Sequence, residues 1–213
     1  MPRPLDLDRW KRRQHFEFYR GYEQPFFNLC AEVDVSALAE ACAAPGGPSF
    51  FIATLYLSLA AANEVEELRY RLAGDGVVVH EVIHGGSTVL RPDETFVFAY
   101  FDFDPDFGRF HAHAQQVLEE VRRGPAVLKP RPDRVDLIHY SVIPWVSFTS
   151  FAHARTHRPG DSVPKIVFGR HHEAGGRRSM PVSVEVHHAL VDGIHVGRFF
   201  ERFQARLDHP PGL

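Results

Sequence analysis

Cysteines and long apolar runs are scarce in this sequence. Cys30 and Cys42 are the two cysteines among 213 residues, so the chain has no framework of disulfides. The longest apolar stretch, residues 50–62, is too short to cross a bilayer as a helix. The N-terminal residues include basic side chains but lack the apolar core of a secretion signal. These absences predict a soluble cytoplasmic protein with no membrane partner.

Strong charge and the short motifs of several enzyme classes are also missing. The formal net charge is −3, so nothing marks the whole surface as a nucleic-acid binder. There is no glycine-rich phosphate loop and no Gly-x-Ser-x-Gly turn of a serine hydrolase. Three histidine pairs have short spacings: His111 with His113, His153 with His157, and His171 with His172. Because no cysteine pair, His-Glu-x-x-His motif or acidic cluster lies beside them, we interpret them as surface histidines and predict no metal.

The spacing of apolar residues predicts interleaved helices and strands. Breaks rich in glycine and proline are short and evenly spread, so we expect one domain over residues 1–213. Helices are predicted at 36–44 with Ser36 as N-cap, at 48–63 with Pro48 in the first position, from 106, and from 192. A hairpin is predicted over 68–82, and strands at 87–90, 95–103, 136–142, 165–169 and 180–187. This order is typical of an α+β fold, in which helices cover a mixed β-sheet.

Residues 186–193, V-H-H-A-L-V-D-G, carry the clearest chemistry. A strand ends in His187-His188, a turn follows, and Asp192-Gly193 opens a helix. Imidazole titrates near neutral pH, so His188 is a candidate general base. Asp192 can cap the helix or pair with an arginine, and Gly193 is expected to let the turn pack tightly. With 14 histidines in the chain, this short pattern is weak evidence of catalysis when taken alone.

Longer segments of the sequence resemble the chloramphenicol acetyltransferase family. They are HHALVDGIHVGRF at 187–199, PWVSFTSF at 144–151 and WKRRQHFEFYR at 10–20, with DETF at 93–96 and ELRYRL at 67–72. Their order and spacing match the family across essentially the whole chain. The histidine motif also occurs in the dihydrolipoyl acyltransferase core and in peptide-synthetase condensation domains. The tryptophan segment and the absence of a lipoyl region favour the chloramphenicol acetyltransferase family.

The resemblance implies a two-layer α/β sandwich and a CoA-dependent reaction. Acetyl-CoA would be the co-substrate, and a hydroxyl of chloramphenicol would attack its thioester directly, with no acyl-enzyme and no metal. His188 would be the base, Ser141, four residues before Trp145, would bind the oxyanion, and Arg12 would pair with Asp192. Without the resemblance, Ser141 would be interpreted as a strand serine bonded to the backbone, and Arg12 as a surface charge.

The resemblance also implies binding residues and an assembly. The residues expected to bind the acceptor are Phe18, Tyr19, Phe27, Phe96 and His153, and those expected to bind CoA are Trp145 and Arg170. Phe27 and Phe96 fit equally well as core aromatics. The family forms homotrimers with sites between subunits, so we expect a homotrimer here.

At four positions this sequence differs from the residues that the resemblance to the family implies. Val167 replaces a threonine near the oxyanion, and His153 replaces a leucine beside the acceptor. Ser49 stands where a lysine meets the CoA phosphate, and Lys129 replaces a phenylalanine. The departures lie on the walls of the substrate sites. The sequence therefore predicts the reaction, acetyl transfer, more strongly than it predicts chloramphenicol as the acceptor. Two alternatives stay open: another hydroxyl compound as acceptor, or a trimer that binds a ligand without turnover.

Overall fold

A computed structural model describes residues 2–155 and 160–210 and divides them into helices and strands. The α-helices in these residues are α1 (Arg13–Tyr19), α2 (Ser36–Ala43), α3 (Phe50–Asn63), α4 (Phe107–Arg123) and α5 (Gly193–Asp208). The strands are β1 (Arg3–Pro4), β2 (Phe26–Asp34), β3 (Tyr70–Ala73), β4 (Gly76–Val79), β5 (His84–Leu90), β6 (Phe96–Phe101), β7 (Leu137–Ile143), β8 (Lys165–Gly169), β9 (His172–Ala174) and β10 (Arg177–His187). A 3₁₀ turn, Glu66–Arg69, precedes β3.

The main sheet of the described residues is mixed. Its strand order is β2-β10-β8-β7-β5-β6, with β9 paired to β10. β7 runs parallel to β5 and β8, whereas the other pairs are antiparallel. A smaller sheet has the order β1-β4-β3. The predicted α+β class, with helices on a mixed sheet, is confirmed.

The two faces of the main sheet differ in polarity because side chains alternate along each strand. Val182, Val184 and Val186 of β10 are fully buried on the face covered by helices. On the same face, the rings of Phe168 and Phe203 lie 6.1 Å apart. Residues on the other face include His139 and Ser141 of β7, Lys165 of β8, and Ser183, Glu185 and His187 of β10. The sheet therefore presents one apolar face to the helices and one polar face to the site described below.

Two helices form this packing for different reasons. α3 is apolar on all sides, and its residues from Ile52 to Ala62 are buried, as expected of a helix enclosed by other elements. α5 is amphipathic and buries a stripe that includes Phe199, Phe203 and Leu207. The start of α5 is thereby fixed against the sheet edge where β10 ends.

Several predicted boundaries were wrong. Ser36 begins α2, but Val35 is its N-cap, and the Ser36 hydroxyl instead accepts a hydrogen bond from the Arg178 N–H. α3 begins at Phe50 with Ser49 as N-cap, so Pro48 precedes the helix. β3 begins at Tyr70 because a 3₁₀ turn occupies 66–69, and β4 ends at Val79, before the predicted end of the hairpin at residue 82. α1 and β2 were not predicted.

No helix among the described residues is long and apolar enough to span a membrane.

Candidate active site

The turn between β10 and α5, residues 187–192, holds its backbone through local hydrogen bonds. We call it the His188 turn. The N–H groups of Leu190 and Val191 both donate to the His187 carbonyl at 3.0 Å, and the His188 N–H donates to the Pro25 carbonyl at 2.7 Å. The Ala189 N–H donates to Nδ1 of the His187 ring at 3.2 Å. Most backbone donors of the turn are thereby satisfied without water.

Arg12 braces this turn from the N-terminal segment. Its guanidinium donates to the Asp192 carboxylate at 2.9 Å and to the His188 carbonyl at 3.0 Å. Asp192 also caps α5. The carboxylate therefore has both of the roles that the sequence left open, as a helix cap and as the partner of an arginine. Burial opposes ionisation of Asp192, but hydrogen bonds from the Gly193 N–H and from Arg12 outweigh it and lower its pKa. The carboxylate is therefore ionised at neutral pH.

The His188 ring is fixed by stacking and by one hydrogen bond. Tyr19 stacks on it with a centroid distance of 4.0 Å and an interplanar angle of 19°, and Phe27 lies 4.7 Å away. Nδ1 of His188 lies 3.3 Å from the Val191 carbonyl oxygen. Because a carbonyl oxygen only accepts hydrogen bonds, this contact places the proton of a neutral ring on Nδ1. Nε2 then keeps its lone pair, as a general base requires.

Ser141 lines a separate cavity of about 300 Å³ on the polar face of the sheet. We call it the Ser141 pocket. Its walls include Ser87, Thr88, Phe98, Tyr100, His139, His153 and Lys165. Within the described residues, the Ser141 hydroxyl has no hydrogen-bond partner, so the interpretation as a serine bonded to the backbone does not hold. A hydroxyl that lines a cavity without a partner can donate to a bound molecule.

The imidazoles of the Ser141 pocket are neutral at physiological pH. Burial among the pocket walls lowers the pKa of both His139 and His153 to about 4. Burial, reinforced by Arg155, also lowers the pKa of Lys165, whose ammonium donates to the Ala154 carbonyl at 2.8 Å. Nε2 of His153 is buried and has no partner among the described residues. The pocket thus offers polar nitrogen groups beside its aromatic walls.

A buried ion cluster anchors the segment that carries His153. The Arg155 side chain, 7% exposed, pairs with Glu185 of β10 and with Asp161, and it lies over the Phe26 ring at 3.5 Å from the centroid. It also donates to the Val163 carbonyl. These contacts hold the wall formed by His153 against the polar face of the sheet.

His188 and Ser141 lie far apart within one chain. The strand register aligns Ser141 with Val167, and Val167 with Ser183. Ser141 is therefore two strand spacings from β10, and His188 lies five residues further along, a separation of roughly 19 Å. At that separation, one reacting atom cannot touch both side chains of the same copy.

A second concave surface, of about 270 Å³, lies at the end of β7. We call it the Arg170 groove, and its walls include Phe50, Phe51, Thr54, Val142, Pro144, Arg170 and His171. Ser141 and Val142 are neighbours on β7, so the pocket and the groove lie on opposite faces of the same strand. The Thr54 hydroxyl is buried and has no partner in the described part of the chain, and Arg170 is the cationic residue of this lining. The groove suits an apolar arm that ends in an anionic group.

Some predicted binding residues lie outside both cavities. Phe96 is 46% exposed and is not part of the Ser141 pocket, whose wall contains Phe98 instead. Trp145 is 59% exposed and follows Pro144 of the Arg170 groove without lining it. Phe18 is exposed and contacts Tyr19 beside His188.

The structure shows where two of the departures from the family pattern lie, and it also tests the packing predicted for Gly193. Lys129 lies at a neighbouring cavity, and its carbonyl accepts a hydrogen bond from Tyr100. Val167 is fully buried beside Ser141 in the sheet. The tight packing predicted for Gly193 was wrong, because a Cβ there would meet no atom within 4 Å.

The sequence interpretation missed functional candidates in both regions. His139 and Lys165 line the Ser141 pocket because His139 lies two residues before Ser141 and pairs with Lys165 across the strands. Strand alternation places His139 on the Ser141 face, so that signal was available. His195, which accepts a hydrogen bond from the Asp192 N–H, was also missed.

Metal ligation finds no support in the described part of the chain, where no group of three or more His, Cys, Asp or Glu side chains is arranged to hold an ion. His111 and His113 are two residues apart on α4 and so do not share a helix face. His157 lies outside the described residues.

Comparisons with known proteins agree with one another. The sequence profile of the family described as chloramphenicol acetyltransferase matches residues 3–204. The chain is 36% identical to a chloramphenicol acetyltransferase of Streptomyces acrimycini over 100% of this chain and 97% of that protein. It is 30% identical to chloramphenicol acetyltransferase 3 of Escherichia coli over 94% of each. A solved chloramphenicol acetyltransferase structure superposes with a TM-score of 0.86 at 28% identity, covering 97% of this chain and 100% of that one.

The fold, the site and these similarities define an acyltransferase. The chain belongs to the chloramphenicol acetyltransferase family.

Proposed function

We propose that this protein transfers the acetyl group of acetyl-CoA to a hydroxyl of chloramphenicol, with His188 as general base and Ser141 as oxyanion donor. The observation that carries the proposal is the state of the His188 ring. Nδ1 is engaged by the Val191 carbonyl and the ring is stacked on Tyr19, so Nε2 is the free basic atom. Neighbouring aromatic side chains Phe18 and Phe27 supply an apolar wall for a nitrophenyl acceptor.

The proposed reaction proceeds in two steps without an acyl-enzyme. Nε2 of His188 takes the proton of the acceptor hydroxyl as its oxygen attacks the thioester carbonyl carbon, and a C–O bond forms. Negative charge develops on the carbonyl oxygen, to which the Ser141 hydroxyl donates. The C–S bond then breaks, and the departing thiolate takes the proton from the His188 imidazolium. The products are the acetyl ester and free CoA.

The two concave surfaces match the two substrates in this proposal. The Ser141 pocket takes the acceptor and the thioester carbonyl, and the Arg170 groove at the end of β7 takes the part of acetyl-CoA away from the thioester, with Arg170 facing a phosphate. The exposed Trp145 ring, next to the groove, is available to cover the pantetheine arm. His171, whose ring lies 5.4 Å from that of Phe50, extends the groove wall with a second ring.

The separation of about 19 Å between His188 and Ser141 supports a site built from two copies. We therefore propose a homotrimer in which each copy acts as one domain, residues 1–213, and each site combines His188 of one copy with Ser141 of the next. Cyclic assemblies join two different surfaces of each copy in this way. Acetyl-CoA is available in the cytoplasm, which is where we place the reaction.

A thiol-release assay with acetyl-CoA and chloramphenicol tests the activity, and mixed assemblies test the shared site. His188→Ala and Ser141→Ala chains are each expected to be nearly inactive alone. Unfolded together in equal amounts and refolded, they should recover about a quarter of wild-type activity, because one interface in four pairs an intact His188 with an intact Ser141. The control mixes His188→Ala with the double variant, which restores no interface.

Each result of this experiment decides a separate part of the proposal. Recovery only in the first mixture supports the two-copy site. No recovery in either mixture, with wild-type activity present, would contradict it. Acetyl-CoA binding without thiol release would contradict chloramphenicol as the acceptor, and the absence of both binding and release would favour a binding protein.

One observation favours a second acceptor class. His139, His153 and Lys165 bring hydrogen-bonding groups to the wall of the Ser141 pocket beside its aromatic rings. A hydroxyl compound with several hydrogen-bonding groups is the alternative acceptor, with the same chemistry at His188. A panel of polar alcohols in the thiol-release assay, ranked by kcat/KM beside chloramphenicol, distinguishes the two.

A further inference from the structure

The peptide bond between Val191 and Asp192 is hydrogen-bonded on both sides by histidine rings. Its carbonyl oxygen lies 3.3 Å from Nδ1 of His188, and its N–H donates to Nδ1 of His195 at 2.9 Å. Hydrogen bonds that share one amide polarise it and strengthen each other. The base is therefore linked through backbone to a second, buried histidine.

His195 occupies a position that helices often give to glutamate or glutamine. It is the third residue of α5 and completes a capping box with Asp192, accepting from the N-cap N–H. The His195 residue is 6% exposed, so this acceptor cannot be replaced readily by water. An unpaired Asp192 N–H would leave the peptide that holds His188 without its second anchor.

The Asp192 N–H and a nearby carboxylate together favour a His195 ring that carries its proton on Nε2. Glu67, on the 3₁₀ turn before β3, lies 3.4 Å from Nε2 of His195. This distance is long for a hydrogen bond, but the negative charge still favours the proton on Nε2. Nδ1 is then free to accept from Asp192. Burial lowers the pKa of His195, although Glu67 acts in the opposite direction, so the ring is neutral at neutral pH as this arrangement requires.

We propose that Glu67 and His195 are positioning residues that act through the Val191–Asp192 peptide to keep the proton of His188 on Nδ1 and its Nε2 free. The inference rests on the proposed function, in which that Nε2 is the base. Neither residue lines the Ser141 pocket or the Arg170 groove. The order of groups is carboxylate, histidine, peptide, histidine, with the reacting alcohol at the far end.

The experiment uses full-length His195→Phe, His195→Gln and Glu67→Gln, with His80→Phe as matched control. His80 is 8% exposed, so it is buried like His195, but it lies at the end of β4 outside the His188 turn. Nitrogen-15 NMR of the His188 ring separates the Nδ1–H and Nε2–H forms and needs no turnover. Steady-state kcat and KM are measured on the same samples.

We expect wild type and His80→Phe to show the Nδ1–H form of His188. His195→Phe should give a mixture of both forms and a kcat lower by about 10- to 100-fold, with little change in KM for acetyl-CoA. His195→Gln should restore kcat to within about five-fold of wild type, because its amide oxygen can accept from Asp192 as capping-box glutamines do. Glu67→Gln should lower kcat by about two- to five-fold, since it removes only the charge.

The inference is overturned if His195→Phe keeps the wild-type tautomer and kcat, or if His80→Phe loses as much as His195→Phe. If His195→Phe does not fold, the Glu67→Gln spectrum decides, and an unchanged His188 tautomer there counts against the inference. Failure of the proposed function looks different. Wild type itself would then release no thiol, while the NMR comparison would still report whether the two residues control the ring.

Discussion

The His188 turn and the Ser141 pocket treat their polar groups in opposite ways. In the turn, Arg12 and Asp192 pair with each other, and backbone N–H groups donate to His187 and His195. Nε of Arg12 is the buried side-chain atom left unpaired among the described residues there. In the pocket, Nε2 of His153 is buried without a partner among the described residues, and the half-buried Ser141 lines the cavity. Buried polar groups are rarely left unpaired without a function. The contrast shows where the protein fixes geometry and where it leaves bonding capacity for a ligand.

The same difference assigns the catalytic step to the His188 turn and the choice of acceptor to the wall of the Ser141 pocket. A base must hold one ring orientation and one tautomer, and the dense bonding of the turn provides both. A pocket wall selects among acceptors through the groups that it presents, which can vary while the turn stays intact. Substitutions in the turn should therefore act mainly on kcat. Substitutions in the pocket wall should act mainly on KM, except at Ser141, whose hydroxyl acts on the reacting carbonyl.

The largest expected effect is removal of the base. His188→Ala should lower kcat by about 10²- to 10⁴-fold, because proton removal from the acceptor then depends on water. Thiol release measures the loss, and His113→Ala, an exposed histidine on α4, serves as control. A His188→Ala rate equal to wild type would rule out this mechanism.

Removal of the oxyanion donor should have the next largest effect. Ser141→Ala should lower kcat by about 10²- to 10³-fold with little change in either KM, since the hydroxyl acts on charge that develops only during the reaction. Initial rates over a grid of both substrate concentrations measure kcat and KM together. An effect confined to KM would make Ser141 a ground-state binding residue instead.

The turn should also make stability depend on pH. Burial lowers the pKa of His187 to about 4, below the value of about 6.5 in an unfolded chain. The unfolded chain therefore binds the proton at a higher pH than the folded chain does. The stabilisation that comes from a neutral His187 is complete above about pH 6.5 and is lost as pH falls toward 4. It should amount to about 2 kcal/mol of unfolding free energy between pH 7 and 5.

Chemical denaturation at both pH values checks this expectation. His187→Asn, whose amide can accept from the Ala189 N–H, should show a smaller loss than wild type. His113→Asn should behave like wild type because its side chain is exposed. Equal losses in all three proteins would assign the pH dependence to other groups.

Loss of the Arg12 brace should lower kcat less than removal of His188 or Ser141. Arg12→Met removes bonds to Asp192 and to the His188 carbonyl, and should lower the unfolding free energy by about 1–3 kcal/mol. We expect a fall in kcat of about ten-fold, because the His188 turn loses its order. Arg13→Met is the matched control, since Arg13 bonds only to exposed carboxylates. Similar losses in both variants would exclude a specific brace.

The smallest expected effect lies in the wall of the Ser141 pocket. His153→Leu replaces a polar ring by an apolar side chain and should lower KM for chloramphenicol by about three-fold, with kcat nearly unchanged. Steady-state kinetics with chloramphenicol and one polar alcohol measure the change in preference. A lower KM for the polar alcohol instead would contradict the assigned role of His153.

Local patterns in the sequence predicted much of the fold. The alternation of 180–187 predicted most of β10, and the stripe of apolar residues beyond Asp192 predicted α5. β2 was missed because its sequence, F-F-N-L-C-A-E-V-D, does not alternate cleanly and its place depends on pairing with β10. For the site, the His188 turn was predictable because a strand end, a turn and a helix cap are local features.

The sequence by itself determined the strand, turn and helix around His188 and the similarity to a family, because side-chain alternation and helix capping act over a few residues. Tertiary structure alone decided that Lys165 joins Ser141, that Phe98 and not Phe96 lines the pocket, and that His188 lies two strands away from Ser141, at roughly 19 Å by strand spacing. It also decided that Glu67 meets His195. These contacts join residues distant along the chain, and strand register and helix packing bring them together only when the whole sheet forms.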